Sequence, residues 1–136
     1  MRTRTTAATI ALGFGFGFAF ASATWAGPAS EVCVALAEAR VALYSMINSK
    51  DKTGQDALNA KVQAASARVD SALAAMTGPD AKMSADFKAV WDQFKATREK
   101  EIIPAIYAGN VAEAKKIGDG IQYERLSKMW SIISCK

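Results

Sequence analysis

"REKEIIPAIYAGN", residues 98–110, decides how this chain is divided. The stretch has a helical pattern, yet Pro104 sits inside it and Gly109-Asn110 closes it. A proline in a helix deletes one backbone hydrogen bond, here to the carbonyl of Lys100, and its ring pushes that turn open. Ile102, Ile103 and Ala105 carry the apolar side across the proline. One reading is a long helix with a bend near residues 100–104 that ends at Gly-Asn. The other makes Pro104 a first-turn proline of a short separate helix ending at Gly109.

Three further helical patterns flank this stretch, and strand-like alternation is missing after the N-terminal segment. Downstream, Asn110-Val-Ala-Glu113 is a capping-box analogue. It opens a helix with Val111, Ala114, Ile117, Ile121, Met129 and Ile132 or Ile133 on one side. Upstream, a helix starting near Ala81 to Ser84 places Phe87, Val90, Trp91 and Phe94 on the same side as Ile102 and Ala105. "TGPD" (77–80) separates it from a helix with Leu58, Val62, Ala65, Val69, Ala72 or Leu73, and Met76. Thr53 and Asp56 have capping-box-like spacing for that helix, after a break at "DKTG" (51–54). The first helix runs from about Ser30 to Lys50, with Val32, Leu36, Ala39, Leu43 and Met46 at 4-3-4-3 spacing. Short breaks between long helices make neighbours antiparallel. The expected fold is all-α: an up-down-up-down antiparallel four-helix bundle. Leucine is scarce and alanine abundant, so the core should be thin and the helices close.

The N-terminus reads differently. "MRTRTTAATIALGFGFGFAFASATWA" has Arg2 and Arg4, then an uncharged stretch, then small residues, the order of a secretory signal. The expected boundaries are a signal peptide over 1–26 and one domain over 27–136. Cleavage is expected after Ala26, with Ala23 as the second choice. A retained membrane anchor is the alternative. Against it, the apolar run falls short of the roughly 20 residues a span needs, and Gly13, Gly15 and Gly17 interrupt it. The expected location is periplasmic or secreted.

The full chain carries 17 Lys and Arg against 13 Asp and Glu; loss of Arg2 and Arg4 leaves a net charge of +2. No basic cluster breaks the mixture, so a nucleic-acid surface is not expected. Histidine is absent, which removes the usual general base and the commonest metal ligand. Bundle di-iron sites also need histidine. Met46, Met76, Met83 and Met129 are gap fillers in such a core rather than ligands. Neither enzyme activity, nor a metal, nor another cofactor is expected. Cys33 and Cys135 fall at the start of helix one and the end of helix four, which an up-down bundle brings to one end. In an exported protein such an even pair is expected to form a disulfide.

Charged residues at core-facing positions are the informative anomaly. Arg98 continues the spacing of Phe87, Trp91 and Phe94, and Arg125 continues that of Gly118 and Ile121. Arg40 and Arg68 border the stripes of helices one and two. Counted from the bundle end, all four fall within roughly one helical turn of each other. An arginine layer of this kind is suited to a small anionic ligand. The alternative is solvated pairing with Glu38, Asp70, Glu101 and Glu124 at comparable heights, worth about 0–1 kcal/mol each. Tyr44 and Tyr107 fall near the Pro104 bend, as pocket lining or as rim residues. Trp91, Trp130, Phe87 and Phe94 are expected in the core toward the cysteine end.

Residues 87–129, "FKAVWDQFKATREKEIIPAIYAGNVAEAKKIGDGIQYERLSKM", bring a family into view. The aromatic run before Arg98, the Ile103-Pro104-Ala105 and Ala108-Gly109-Asn110 segments, Glu113-Ala114 and Gln122-x-x-Arg125 resemble the periplasmic four-helix-bundle sensor domain of methyl-accepting chemotaxis proteins. The first two helices match it only in length and apolar spacing. The resemblance implies small-molecule binding outside the cell, with arginines holding carboxylate ligands at a dimer interface. Within the matching segment it nominates Arg98 and Arg125. The chain departs from the family in having no second transmembrane segment and no cytoplasmic signalling helix. The expectation is a stand-alone sensor module that passes a ligand to a membrane signalling or transport protein. The rival expectation is a protein-interaction module or accessory chaperone, acting as a homodimer without a small ligand.

Overall fold

The computed structural model describes residues 27–135; the expected signal peptide, 1–26, lies outside the described residues. In chain order the elements are α1 (Pro28–Asn48), α2 (Lys52–Ala75), α3 (Ala81–Thr97), a π-helical turn (Arg98–Ile102), α4 (Ile103–Tyr107), α5 (Val111–Asp119) and α6 (Ile121–Ile133). Among the described residues there is no strand. α3, the π-turn and α4 form one continuous rod, and α5 with α6 forms another. With α1 and α2 they make four helical rods.

The ends of these rods follow from local chemistry. Pro28 sits in the first turn of α1, where a missing N–H costs nothing. The Asp51 carboxylate accepts the N–H of Gly54 at 2.7 Å and so caps α2. This moves the cap two residues upstream of the expected Thr53, and makes "DKTG" the cap and first turn of α2 rather than a break. At the other expected capping box, the Asn110 side chain makes no cap bond. Backbone groups end the preceding helix instead. Gly109, at φ +76°, donates to Ile106 O, and Asn110 N–H donates to Ala105 O at 2.8 Å. That pair is a Schellman motif, and it needs a residue that tolerates the left-handed region.

The stretch around Pro104 takes one part of each expected reading. The rod runs through the proline, and Pro104 also lies in the first turn of α4. The π-turn reconciles them. Phe94, Arg98, Ile102 and Ile106 are all buried, four residues apart each time. That spacing runs about one residue ahead of three ordinary α-turns. A π-turn absorbs one extra residue, so all four side chains stay on the inner face. Its bond runs from Ile103 N–H to Arg98 O, and the residue after it is the proline, which has no N–H to give.

The fourth rod breaks at Gly120, with φ −93° and ψ −113°. A Cβ there would lie 2.9 Å from the carbonyl oxygen of Lys116, so the close approach requires glycine. The break corrects one expectation. Ile121, read as a core residue, is 45 % exposed, and Gln122 is buried in its place. From there Leu126, Met129 and Ile133 continue the inner stripe.

Two apolar clusters make up the core. One gathers Val32, Leu36, Val69, Phe87, Trp91 and Met129 beside the two cysteines. The other gathers Leu43, Met46, Val62, Ile102 and Ile106. Polar links hold rod to rod. Arg68 pairs with Glu31 and Glu38, joining α2 to α1. Asp70 accepts the Trp91 indole N–H at 2.7 Å and the Lys95 ammonium at 2.8 Å, joining α2 to α3. Gln122 donates to Phe94 O at 2.9 Å, joining α6 to α3. The Cys33 and Cys135 sulfurs are 2.02 Å apart, at disulfide distance, with Cα atoms 5.6 Å apart.

That bridge closes a loop of 102 residues. In the chain-entropy account a loop of this length contributes about 4–5 kcal/mol. Replacing both cysteines by serine is expected to lower the melting temperature by roughly 10–20 °C while the helical circular-dichroism spectrum is retained. Equal melting temperatures for the two forms would contradict this.

Candidate functional site

Arg98, on the π-turn, is 1 % exposed. Its Cζ lies 5.7 Å from the Trp91 ring centroid, within cation–π range. Nε donates to Glu99 Oε1 at 2.8 Å, and Nη2 lies 2.8 Å from the same oxygen as an ion pair. The same Glu99 carboxylate accepts Gln63 Nε2 at 3.0 Å. Nη1 is buried with no hydrogen-bond partner. Burial pushes the Arg98 pKa below the ordinary arginine value, and the Glu99 bond pulls against that. Arginine holds its proton under such conditions, so the interior carries a cation with one donor nitrogen unused.

Arg98 lines a cavity of about 30 Å³. Leu43 and Ile102 belong to one apolar cluster, and Phe94 and Leu126 to the other. All four line the cavity, which therefore lies where the two clusters meet. Its polar lining includes Arg40, Tyr44 and Gln122. The Arg40 guanidinium lies 5.5 Å from the Tyr44 ring and 5.6 Å from the Trp130 ring. No carboxylate among the described residues pairs with it. The Tyr44 hydroxyl donates to Asp119 Oδ1 at 3.0 Å, linking α1 to the end of α5. Burial and the Asp119 carboxylate raise the Tyr44 pKa, so the phenol stays protonated. Gly118 forms part of the wall; a Cβ there would meet only the Tyr44 hydroxyl, at 3.9 Å.

Of the residues nominated from sequence, Arg98, Arg40 and Tyr44 come together at this cavity. Arg68 does not join them, because it is held between Glu31 and Glu38 on the α1–α2 surface. Arg125 sits behind the cavity wall. Its Nη1 donates to Gln122 Oε1 at 3.0 Å and to Thr97 Oγ1 at 2.7 Å, which orients the Gln122 amide. Tyr107 is a rim residue, 38 % exposed, donating to Asp56 at 2.7 Å. A single layer of four guanidinium groups is thus not formed. Equal height along the rods fixed their level, and not the direction each side chain takes. The disulfide pair, Cys33 and Cys135, packs against the apolar cluster around Trp91.

Sequence reasoning missed Gln122 and Gly118. The signal for Gln122 is present: Gln122, Leu126, Met129 and Ile133 recur at helical spacing, with one polar member. Gly118 has a signal too, since it stands on the core-facing spacing that continues to Arg125, but a missing side chain in that stripe does not by itself read as space.

Comparisons with protein-family models, curated proteins and solved structures return no match.

A buried cation with an unpaired donor is a poor device for stability. Replacing a buried ion by an apolar side chain of similar length is often neutral or stabilising, whereas truncation leaves a void. Arg98→Met is expected to keep or raise the melting temperature, by up to about 1–2 kcal/mol of stability. Arg98→Ala should lower stability by about 2–4 kcal/mol. Thermal unfolding of the two variants beside the parent checks both.

Proposed function

We propose that residues 27–136 form an exported, non-catalytic sensor-like module that binds a small ligand at the Arg98 cavity and presents it to a membrane signalling or transport protein. In this reading 1–26 is a cleaved signal peptide. The four rods run up-down-up-down as an antiparallel bundle of the chemoreceptor sensor kind, and the cysteine pair clasps one end. The observation that carries the binding role is that Arg98, a buried cation with one unpartnered nitrogen, belongs to the lining of a small cavity. Native interiors rarely leave such a donor unpaired, and the exceptions call for a functional explanation. The lining side chains offer cations and hydrogen-bond donors set among apolar walls, the makeup of a recognition site. The placement of the cavity supports a sensing role. It touches the π-turn and the rod that breaks at Gly120, two places where a helical ladder is already interrupted. No helix among the described residues is long and apolar enough to cross a membrane.

A second reading has its own observation. On α1, Val41 is 67 % exposed and Val34 47 % exposed, and both border a shallow apolar groove between α1 and α2. This favours a homodimeric interaction module or accessory chaperone. Light scattering separates the two: a dimer that Val41→Lys converts to monomer supports the second reading.

The binding role is tested by thermal unfolding in a panel of small acids, amines and neutral compounds, using the parent protein and Gly118→Leu, which fills the cavity wall. At least one compound is expected to raise the melting temperature of the parent by several degrees and leave Gly118→Leu unmoved. If no compound discriminates between the two proteins, the binding role is wrong.

A further inference from the structure

Most of the wall that faces the Arg98 cavity is carbon. Leu43, Phe94, Ile102 and Leu126 supply its buried part. The polar residues around it are engaged with other groups. Gln122 is bonded at both ends of its amide, to Phe94 O and to Arg125. The Tyr44 hydroxyl donates to Asp119. Glu99 holds Nε and Nη2 of Arg98, and Nη1 is enclosed by protein. The Arg40 guanidinium lies against the Tyr44 and Trp130 rings, and Trp130 is outside the lining. A guest in this space meets mainly apolar surface.

A space of about 30 Å³ holds roughly two water molecules. An ordered water needs about two to four polar partners, and a wall of this kind supplies them poorly. Displacing poorly held water by an apolar group gains affinity. Preformed apolar cavities take up apolar guests for this reason. An ion has no such gain, because it leaves its hydration behind and meets carbon. An amine is opposed further by the two guanidinium charges of the lining. Resting on the binding role proposed above, we infer that the cavity receives an uncharged apolar group of about three heavy atoms, either a small apolar molecule or the alkyl end of a longer one. The half-buried Gly118 and the exposed Tyr123 form its outer wall, and a longer guest extends past them.

Leu43, Ile102 and Leu126 carry methyl groups at this wall, so binding is read residue by residue from carbon–proton correlation spectra of the purified protein. Dichloromethane and n-hexanol are titrated as apolar probes. Sodium acetate and methylammonium chloride, small ions of opposite sign, are titrated at matched ionic strength. Saturable shifts of these three residues are expected with at least one apolar probe, and none with either ion. Comparing dichloromethane with n-hexanol tells a whole small guest from an alkyl end. Gly118→Leu, with its helical spectrum checked, should weaken apolar binding at least about tenfold. If acetate or methylammonium shifts the same methyl groups in a Gly118-dependent way, the apolar assignment falls while the binding role stands. If the apolar probes shift only methyl groups elsewhere, or bind Gly118→Leu equally well, the site is wrong and the assignment falls. If nothing binds, both fall.

Discussion

The arrangement of this protein turns on one guanidinium group kept out of water. Arg98 is enclosed where two apolar clusters meet, against the face of Trp91. Desolvating a cation costs several kcal/mol even after relaxation, and the nearby carboxylate recovers part of it. Here Glu99 meets two nitrogens and is itself 40 % exposed, so it remains hydrated while it neutralises. The third nitrogen, Nη1, is left buried without a partner. Had an apolar residue stood at 98, the cavity would keep Arg40, Tyr44 and Gln122 in its lining but lose its buried cation.

Two backbone irregularities make that burial geometrically available. The π-turn keeps Arg98 in line with Phe94, Ile102 and Ile106 on the inner face. Without the extra residue, the four-residue steps would drift around the rod and carry the guanidinium toward solvent. Across the cavity, the Gly120 break changes the register of the fourth rod and turns Gln122 inward in place of Ile121. Gln122 is then fixed from both ends, by Phe94 O and by Arg125. The glycine at 118 leaves the space that a larger side chain would fill. The cavity therefore depends on a turn that is too wide, a rod that is broken and a side chain that is missing.

The rest of the molecule supplies rigidity around these departures. Its core relies on alanine and on a few aromatic and branched residues, and many links between rods are polar and near the surface. Such surface pairs add little each. A covalent tie between residues 102 apart matters more, because it restricts the unfolded chain and holds α1 against the end of the fourth rod. The tie lies in the cluster around Trp91, and Arg98 sits on the far edge of that same cluster, against the same ring.

Much of this was legible in the sequence. Apolar spacing and Gly/Pro breaks determined that the described residues form four helical rods without strands, and where each rod begins within a few residues. The positions of Cys33 and Cys135 at the two extremes of the helical region anticipated their pairing. Continuing the Phe87–Trp91–Phe94 spacing was enough to place Arg98 inside. The sequence also marked Arg40 and Tyr44, but it equally marked Arg68, Arg125 and Tyr107, and gave no means to separate the two sets. Only the tertiary structure decided which of them meet. Helical periodicity assigns faces while the hydrogen-bond ladder is regular, at about 100° per residue. One inserted residue at the π-turn and one break at Gly120 each rotate the downstream part of their rod. The direction of a side chain past those points is set by packing between rods, which one rod's pattern does not contain.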